Sequence, residues 1–234
     1  MPQKLPIYLQ IRELLLRELG AGKWLRGERL PTEAELAGQL GVAVGTLRKA
    51  LASLEQDGIL ERRQGSGTYV AEAQQGQGIY HFFRLEKVNG KTGMPSAEVV
   101  TLEQRQYDWA AQTMQLAPDT VFWLIRRRRL LDGEVVAIED VLLPVFAAPQ
   151  LKQEALHESL YLYYREQLGF WIARVEDAVS VGSVPDWDNG SLGLKYNEAC
   201  GLVERRAYDQ HGLIAECSLL WFNPQRARYM ARWA

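Results

Sequence analysis

Arg48 and Lys49 stand two and three places after Thr46, where Leu47, Ala50, Leu51 and Leu54 recur at helical spacing. A helix burying those four leaves Val44, Gly45, Thr46, Arg48 and Lys49 on its exposed N-terminal portion, where donors can meet phosphates and base edges. Arg29 upstream and Arg62-Arg63-Gln64 downstream supply flanking donors. Gly65 and Gly67, on either side of Ser66, let backbone come close to a nucleic acid where a side chain would block it. This is the chemistry of binding. Catalytic and metal-binding signals are weaker. His81, His157 and His211 lack zinc-site spacing, and neither Cys200 nor Cys217 has a partner cysteine nearby, so both thiols read as reduced and structural. Gly65-Ser66-Gly67 is followed by neither a Lys-Ser/Thr pair nor a strand-to-helix turn, and no Gly-x-Ser-x-Gly elbow occurs. The expectation is a protein that is not an enzyme and takes no metal or cofactor.

The elements that must position those donors are legible. Ile7, Ile11, Leu14, Leu15 and Leu19 mark a first helix after Pro6, stopped by Gly20 and Gly22. Thr32 with Glu35 three places on is a capping box, and Leu36, Ala37 and Leu40 form the inner face of a second helix; Glu33 and Glu35 both read as caps. Gly41 breaks that helix, and Asp57-Gly58 ends the third. Ile59 to Arg62 and Thr68 to Val70 read as two short strands joined across the glycines. Two helices on a tight Gly turn make a helix-turn-helix, and the strands add a wing.

A chain of 234 residues suits two domains of unequal size. Residues 72–78, rich in Gln and Gly, have nothing large to bury and read as a linker between residues 1–71 and 79–234. Residues 1–72 carry ten basic and nine acidic side chains, so any nucleic-acid surface is a local patch. Beyond the linker the pattern is antiparallel α+β. Long apolar runs flank the hairpin signal Asp132-Gly133, Leu151 to Leu168 reads as helix, Phe170 to Val181 as strand and Ser191 to Tyr196 as a short helix. A second hairpin crosses Asp209 to Gly212. The longest apolar stretch, Val135 to Pro149, is cut by Glu139 and Asp140 and falls short of the ~18 residues of a membrane helix. Met1 to Pro6 lacks the apolar core of a signal peptide, so a cytoplasmic location without a membrane partner is expected.

Pro6-Ile7-Tyr8, Gly27-Glu28-Arg29-Leu30-Pro31-Thr32-Glu33, Leu40-Gly41-Val42, Thr46-Leu47-Arg48-Lys49-Ala50-Leu51 and Gly65-Ser66-Gly67-Thr68-Tyr69-Val70 together resemble the GntR family of winged-helix bacterial transcription regulators. The resemblance spans about residues 6–70. It implies a repressor that binds a near-palindromic double-stranded DNA operator as a homodimer, through Arg29, Thr32, Val44, Gly45, Thr46, Arg48 and Lys49 and the wing residues Arg63, Gln64, Gly65, Ser66, Gly67 and Thr68. Ala43-Val44 stand where the family usually has Ser-Arg, which removes a base-reading arginine and leaves Val44 an apolar contact to a thymine methyl.

The order of Gly93-Met94-Pro95-Ser96, Arg127 and Arg129, Asp132-Gly133, Glu139, Leu143-Pro144, Tyr208-Asp209, Gly212 and Glu216 is similar to the effector-binding UTRA domain, which defines the HutC branch and has a chorismate-lyase-like fold. The resemblance implies a ligand site of Arg127 and Arg129, the acidic Glu139 and Glu216, the helix-borne hydroxyl of Ser159, the early pair Phe83-Arg84, and Phe222. Arg84 stands where sugar-phosphate binders of this type tend to have Ser or Thr, and Phe222 where a Tyr is common. The extra arginine implies a carboxylate or another anion as effector. Two other readings of this domain stand beside it: a ligand-free dimerisation module, and a lyase-like enzyme using Glu139 and Glu216 as acid and base.

Strand geometry adds a condition. Arg127 and Arg129 share one strand face, and Arg126 and Arg128 the other, where they read as a solvated edge. A two-residue Asp132-Gly133 turn would put Glu139 on the Arg126 side. A three-residue loop Leu131-Asp132-Gly133, with Gly133 left-handed in a bulge, puts it on the face of Arg127 and Arg129, and that is the expected arrangement.

Overall fold

Ile11, Leu15 and Leu19 form the buried stripe of α1 (Ile7–Gly20), and Leu36 and Ala37 that of α2 (Glu33–Leu40). Leu47, Ala50, Leu51 and Leu54 form that of α3 (Val44–Gln56). The Thr32–Glu35 capping box starts α2 as its sequence requires, with Thr32 Oγ1 accepting from the Glu35 amide. Gly41, at φ 64°, ends α2 in the left-handed region that glycine adopts freely. β1 (Leu60–Arg63) and β2 (Gly67–Val70) pair antiparallel as the wing, and Arg29 adds a bridge to Tyr69. Ile59, Leu60 and Val70 close the helical core from the wing side. Each fully buried Leu or Ile here contributes roughly 1.5–3 kcal/mol. Buried Arg12 bridges Glu13 and Asp57, tying α1 to the end of α3.

This computed structural model describes residues 5–20, 23–25, 27–71, 82–90, 93–156 and 158–231; the expected linker 72–78, His81 and His157 lie outside them. The described residues form two compact units. Residues 5–84 group with 93–94 and 230–231, and residues 85–90 with 95–229.

The second unit is built on a six-stranded antiparallel sheet of β4 (Pro95–Gln106), β5 (Val121–Leu131), β6 (Glu134–Pro144), β7 (Ile172–Ser183), β8 (Ala199–Asp209) and β9 (Ile214–Phe222). Their spatial order is β4-β5-β6-β9-β8-β7. β3 (Leu85–Lys87) pairs apart from it with β10 (Ala227–Tyr229). α4 (Asp108–Met114) covers one face over Phe122, Leu124, Leu142 and Cys217. α5 (Leu160–Tyr163), which widens into a π turn over Tyr164–Leu168, brings Tyr161 and Tyr164 to the other face. Among the described residues no helix is long and apolar enough to cross a membrane.

Three of the expected secondary-structure elements and turns differ in the structure. Leu151 to Leu168 is not one helix but a 3-10 turn at Gln153–Ala155, the short α5 and the π turn. Ser191 to Tyr196 is not helical. Gly190 and Gly193 take positive φ, and the Asp188 carboxylate accepts from the Ser191 and Leu192 amides, holding a turn instead. The hairpin at Asp132-Gly133 is a tight two-residue turn, with φ of 51° and 80° at the two residues and Leu131 opposite Glu134. The bulge lies further along, where Leu130 faces Val135 and Arg129 faces Ala137, leaving Val136 extra. Glu139 therefore stands opposite Arg127, on the expected face by a different route.

Candidate functional site

The first unit carries an open groove of about 620 Å³ lined by Arg29, Leu30, Pro31, Thr32, Glu33, Ala34, Val44, Arg48 and wing residues Arg62 to Gly65, Gly67 and Thr68. Most of the donors expected to meet DNA are thus on one surface. Gly45, Thr46, Lys49 and Ser66 lie outside that groove; Gly45 and Lys49 are exposed, and the Ser66 hydroxyl meets the Tyr69 hydroxyl at 2.6 Å. Gly67 has a reason of its own. It sits at φ 123°, and a Cβ there would come within 2.8 Å of Arg29 Nε, so the missing side chain makes room for Arg29.

Glu35 caps α2, but Glu33 does not. The Glu33 carboxylate accepts from Arg48 Nε at 2.9 Å and Nη2 at 2.7 Å, and from Arg62 Nη2 at 3.0 Å. Hydrogen bonding to Glu33 holds the Arg48 guanidinium above its ordinary pKa. Arg63 pairs with Glu61 and lies over the Tyr69 ring at 4.2 Å. These are exposed pairs. They hold their arginines extended over the groove yet release them readily to a more strongly charged anion.

In the second unit, adjacent carboxylates on the central strand point to opposite faces, and both are buried. Glu139 meets Arg127 Nη2 at 2.5 Å and Arg129 Nη1 at 3.3 Å. Burial pushes its pKa up, but the guanidiniums of Arg127, Arg129 and Arg205, with the hydrogen bond from Arg129, together outweigh this and hold it below the ordinary range. Asp140 faces Arg126, with Oδ1 3.4 Å from Nε, and burial raises it to about 6. Arg126 is therefore no solvated edge: β4 covers β5, and its guanidinium also lies 5.2 Å from the Trp187 ring. Arg128 pairs loosely with Glu98 at 3.8 Å.

Around Glu139 the sheet collects further polar groups. Arg127 Nη1 donates to the Glu158 carbonyl at 3.3 Å, while its buried Nε has no hydrogen-bond partner. Glu216 accepts from the Tyr164 hydroxyl at 2.5 Å and the Tyr161 hydroxyl at 3.3 Å, and burial lifts it to about 7 against the pull of Tyr164 and Arg127. Arg205 grips Asp177 with two bonds of 2.6 Å, and Tyr229 donates to the same carboxylate at 2.6 Å. Ser159 is buried and caps α5, accepting from the Leu162 amide at 3.4 Å. Phe222 pairs with Ala137, on the Arg129 side, and lays its ring where a side chain on Gly201 would be.

Phe83 and Arg84 group with the first unit, where Arg17 lies 5.0 Å over the Phe83 ring and the Arg84 carbonyl accepts from Met230 at 2.8 Å. Sequence reasoning missed Arg205, Asp177, Tyr161 and Tyr164. The spacing of three between the tyrosines was a signal for one helix face; the Arg205–Asp177 pair joins strands 28 residues apart and left none.

The chain matches the family described as bacterial regulatory proteins, gntR family, over residues 7–70 and the UTRA domain over residues 91–228. It is 42% identical over 228 residues to the transcriptional regulator SmoD of Agrobacterium fabrum, covering 97% of this chain and 96% of that one. It is 29% identical to the mannosyl-D-glycerate transport/metabolism system repressor MngR of Escherichia coli, over 93% and 92% of the two chains. The crystal structure of YydK from Bacillus subtilis superposes with a TM-score of 0.59 at 20% identity, covering 98% of this chain and all of that one, and shares the fold.

Proposed function

The chain belongs to the gntR family of bacterial regulatory proteins, in the branch marked by a UTRA domain, and from that premise we infer a homodimeric repressor released from its operator by a small anionic effector. Binding DNA to regulate transcription is the role its named relatives share. One winged helix spans few base pairs, so two copies on a near-palindrome are the natural device, working in the cytoplasm on the cell's DNA. Residues 1–71 and 79–234 serve as the reading head and the sensor, joined through 72–78.

The observation that carries the anionic reading is the charge of the buried cluster. Three guanidiniums, of Arg127, Arg129 and Arg205, face the carboxylates of Glu139 and Asp177 and a Glu216 that keeps its proton toward neutrality. An anion with an oxygen to accept from Arg127 would complete that balance. MngR is by name the repressor of a mannosyl-D-glycerate system, and glycerate is a carboxylate of the class this cluster fits. Glu139, held between two guanidiniums, is a clamp and a poor general base. The test is mass spectrometry of small molecules that co-purify with the full chain, confirmed by thermal shift. An anion is expected; a cation overturns the reading.

Glu216 adds a pH dependence. Its folded pKa stands above that of an exposed carboxyl, so its favourable contribution is complete in acid and is lost as pH rises through about 7. Thermal stability should therefore fall between about pH 4.5 and 7, partly through Asp140, which titrates near 6 in the same direction. Glu216→Gln, which imitates the protonated carboxyl, is expected to flatten part of that slope in melting curves taken across the range. An unchanged slope refutes the assignment.

A further inference from the structure

The sheet face opposite Glu139 carries a polar row between two apolar covers. α4 packs on Phe122, Leu124, Leu142 and Cys217, and residues 184–198 pack on Ile138 and Trp221. The second cover is pinned: Asn223 Nδ2 donates to the Leu192 carbonyl at 3.0 Å, and Arg226 Nη1 to the Ser191 carbonyl at 3.4 Å. Between the covers Thr101 of β4, Arg126 of β5 and Asp140 of β6 stand side by side in register. The Trp187 ring lies 5.2 Å from the Arg126 guanidinium. Side-chain exposure falls along this row, from 48% at Glu103 on the edge strand to 20% at Arg126 and 4% at Asp140. The row therefore descends from solvent at β4 into the middle of the sheet.

Among the described residues, Thr101 Oγ1, Arg126 Nε, Asp140 Oδ1 and Trp187 Nε1 are all buried without a hydrogen-bond partner. Arg126 Nε and Asp140 Oδ1 attract each other at 3.4 Å, but the contact is an ion pair and falls short of a hydrogen bond. A buried polar atom left this way costs free energy, and four of them on one row and its cover ask for a common partner. Their chemistry says which. Arg126 Nε and Trp187 Nε1 only donate, an ionised Asp140 Oδ1 only accepts, and Thr101 Oγ1 does either. A carboxylate or phosphate has no hydrogen for Asp140, and an ammonium group has no lone pair for Arg126 or Trp187. A hydroxyl has both. Charge agrees, since Arg105 and Arg126 balance Glu103 and Asp140 along the row. We propose that this row is a second ligand site, on the opposite face from the effector cluster, for a small neutral polyol whose hydroxyl accepts from Arg126 and donates to Asp140. Neighbouring hydroxyls of the same molecule reach Thr101 and Trp187. The site depends on neither the dimeric nor the anionic reading above, because none of its groups belongs to the Glu139 cluster.

Water offers the same donors and acceptors as a hydroxyl, and the experiment separates the two. The full chain is titrated calorimetrically with glycerol, erythritol and xylitol at about pH 8, where Asp140, with a pKa of about 6, is ionised. A saturable heat with one site per chain is expected for at least one of the three. Asp140→Asn, checked for folding by circular dichroism, should weaken it about tenfold or more, because the lost hydrogen bond is to a charged group. Thr101→Val removes a hydroxyl with little change of shape and should weaken it about three- to tenfold. Arg129→Ala, in the cluster on the other face, should bind the polyol as the native chain does. No saturable heat from any of the three overturns the site and leaves the row to water alone. Binding unchanged in both D140N and T101V also overturns it, as does loss of binding in R129A, which would put the polyol on the Glu139 face. Should D140N fail to fold, T101V and Trp187→Phe decide in its place.

Discussion

Arg129→Ala should leave operator binding intact and abolish the effector's power to release the DNA. Arg129 lies in the buried cluster, with Nη1 3.3 Å from Glu139 Oε1, and shares that carboxylate with Arg127. Arg129 belongs to the second unit and the groove residues to the first, so truncating it leaves the groove's own side chains unchanged. An effector controls DNA binding only through a difference in its affinity for two arrangements of the protein, and the fork of donors on this strand face is where that difference is made. A coupling of about 1–3 kcal/mol corresponds to a 5- to 150-fold loss of operator affinity on saturation with effector. Without Arg129, Glu139 keeps Arg127 as its partner, which protects the fold. A gel shift with the co-purified effector reads the result. Release of the variant at the native effector concentration would place the site elsewhere.

The route to that cluster shows where sequence is legible and where it is not. The winged helix could be read almost element by element because its signals are local: the Thr32–Glu35 capping box, the left-handed Gly41 and the helical spacing of Leu47 to Leu54. The sheet is set by pairings between distant residues. Alternation along β5 separates Arg127 and Arg129 from Arg126 and Arg128, but which face receives Glu139 depends on one extra residue in β6. That residue is Val136, in a run of apolar residues with no glycine to mark the bulge, whereas Asp132-Gly133 carried every turn signal and closed the tight turn those signals specify. Glu139 and Asp140 looked like interruptions in an apolar stretch. They are buried charges on a central strand, each answered by arginine on its own side of the sheet. The helix expected at Ser191 failed for a similar reason. Its fate was decided by Asp188 and two glycines at positive φ.

On the DNA side, Arg48→Ala and Arg29→Ala are both expected to weaken operator binding, and they should do so differently. Arg48 projects from the N-terminal part of α3 and is held over the groove by Glu33. Arg29 stands where its bridge to Tyr69 joins the wing, packed into the space that Gly67 leaves. A contact to a base edge is worth about 1–3 kcal/mol of discrimination, so losing it costs 5- to 150-fold on the operator and relaxes one position of the sequence. A contact to phosphate carries no sequence information; losing it lowers the salt slope by about 0.9 and weakens all duplexes alike. Glu33→Gln separates the cases further. It frees Arg48 and Arg62 from their carboxylate, so affinity for unrelated duplex should rise and its salt slope steepen. Gel shifts of the three variants on operator and on unrelated duplex, at two or more salt concentrations, read all of this. If R48A and R29A are folded by circular dichroism yet bind the operator as the native chain does, the groove between α3 and the wing is not the surface that meets DNA.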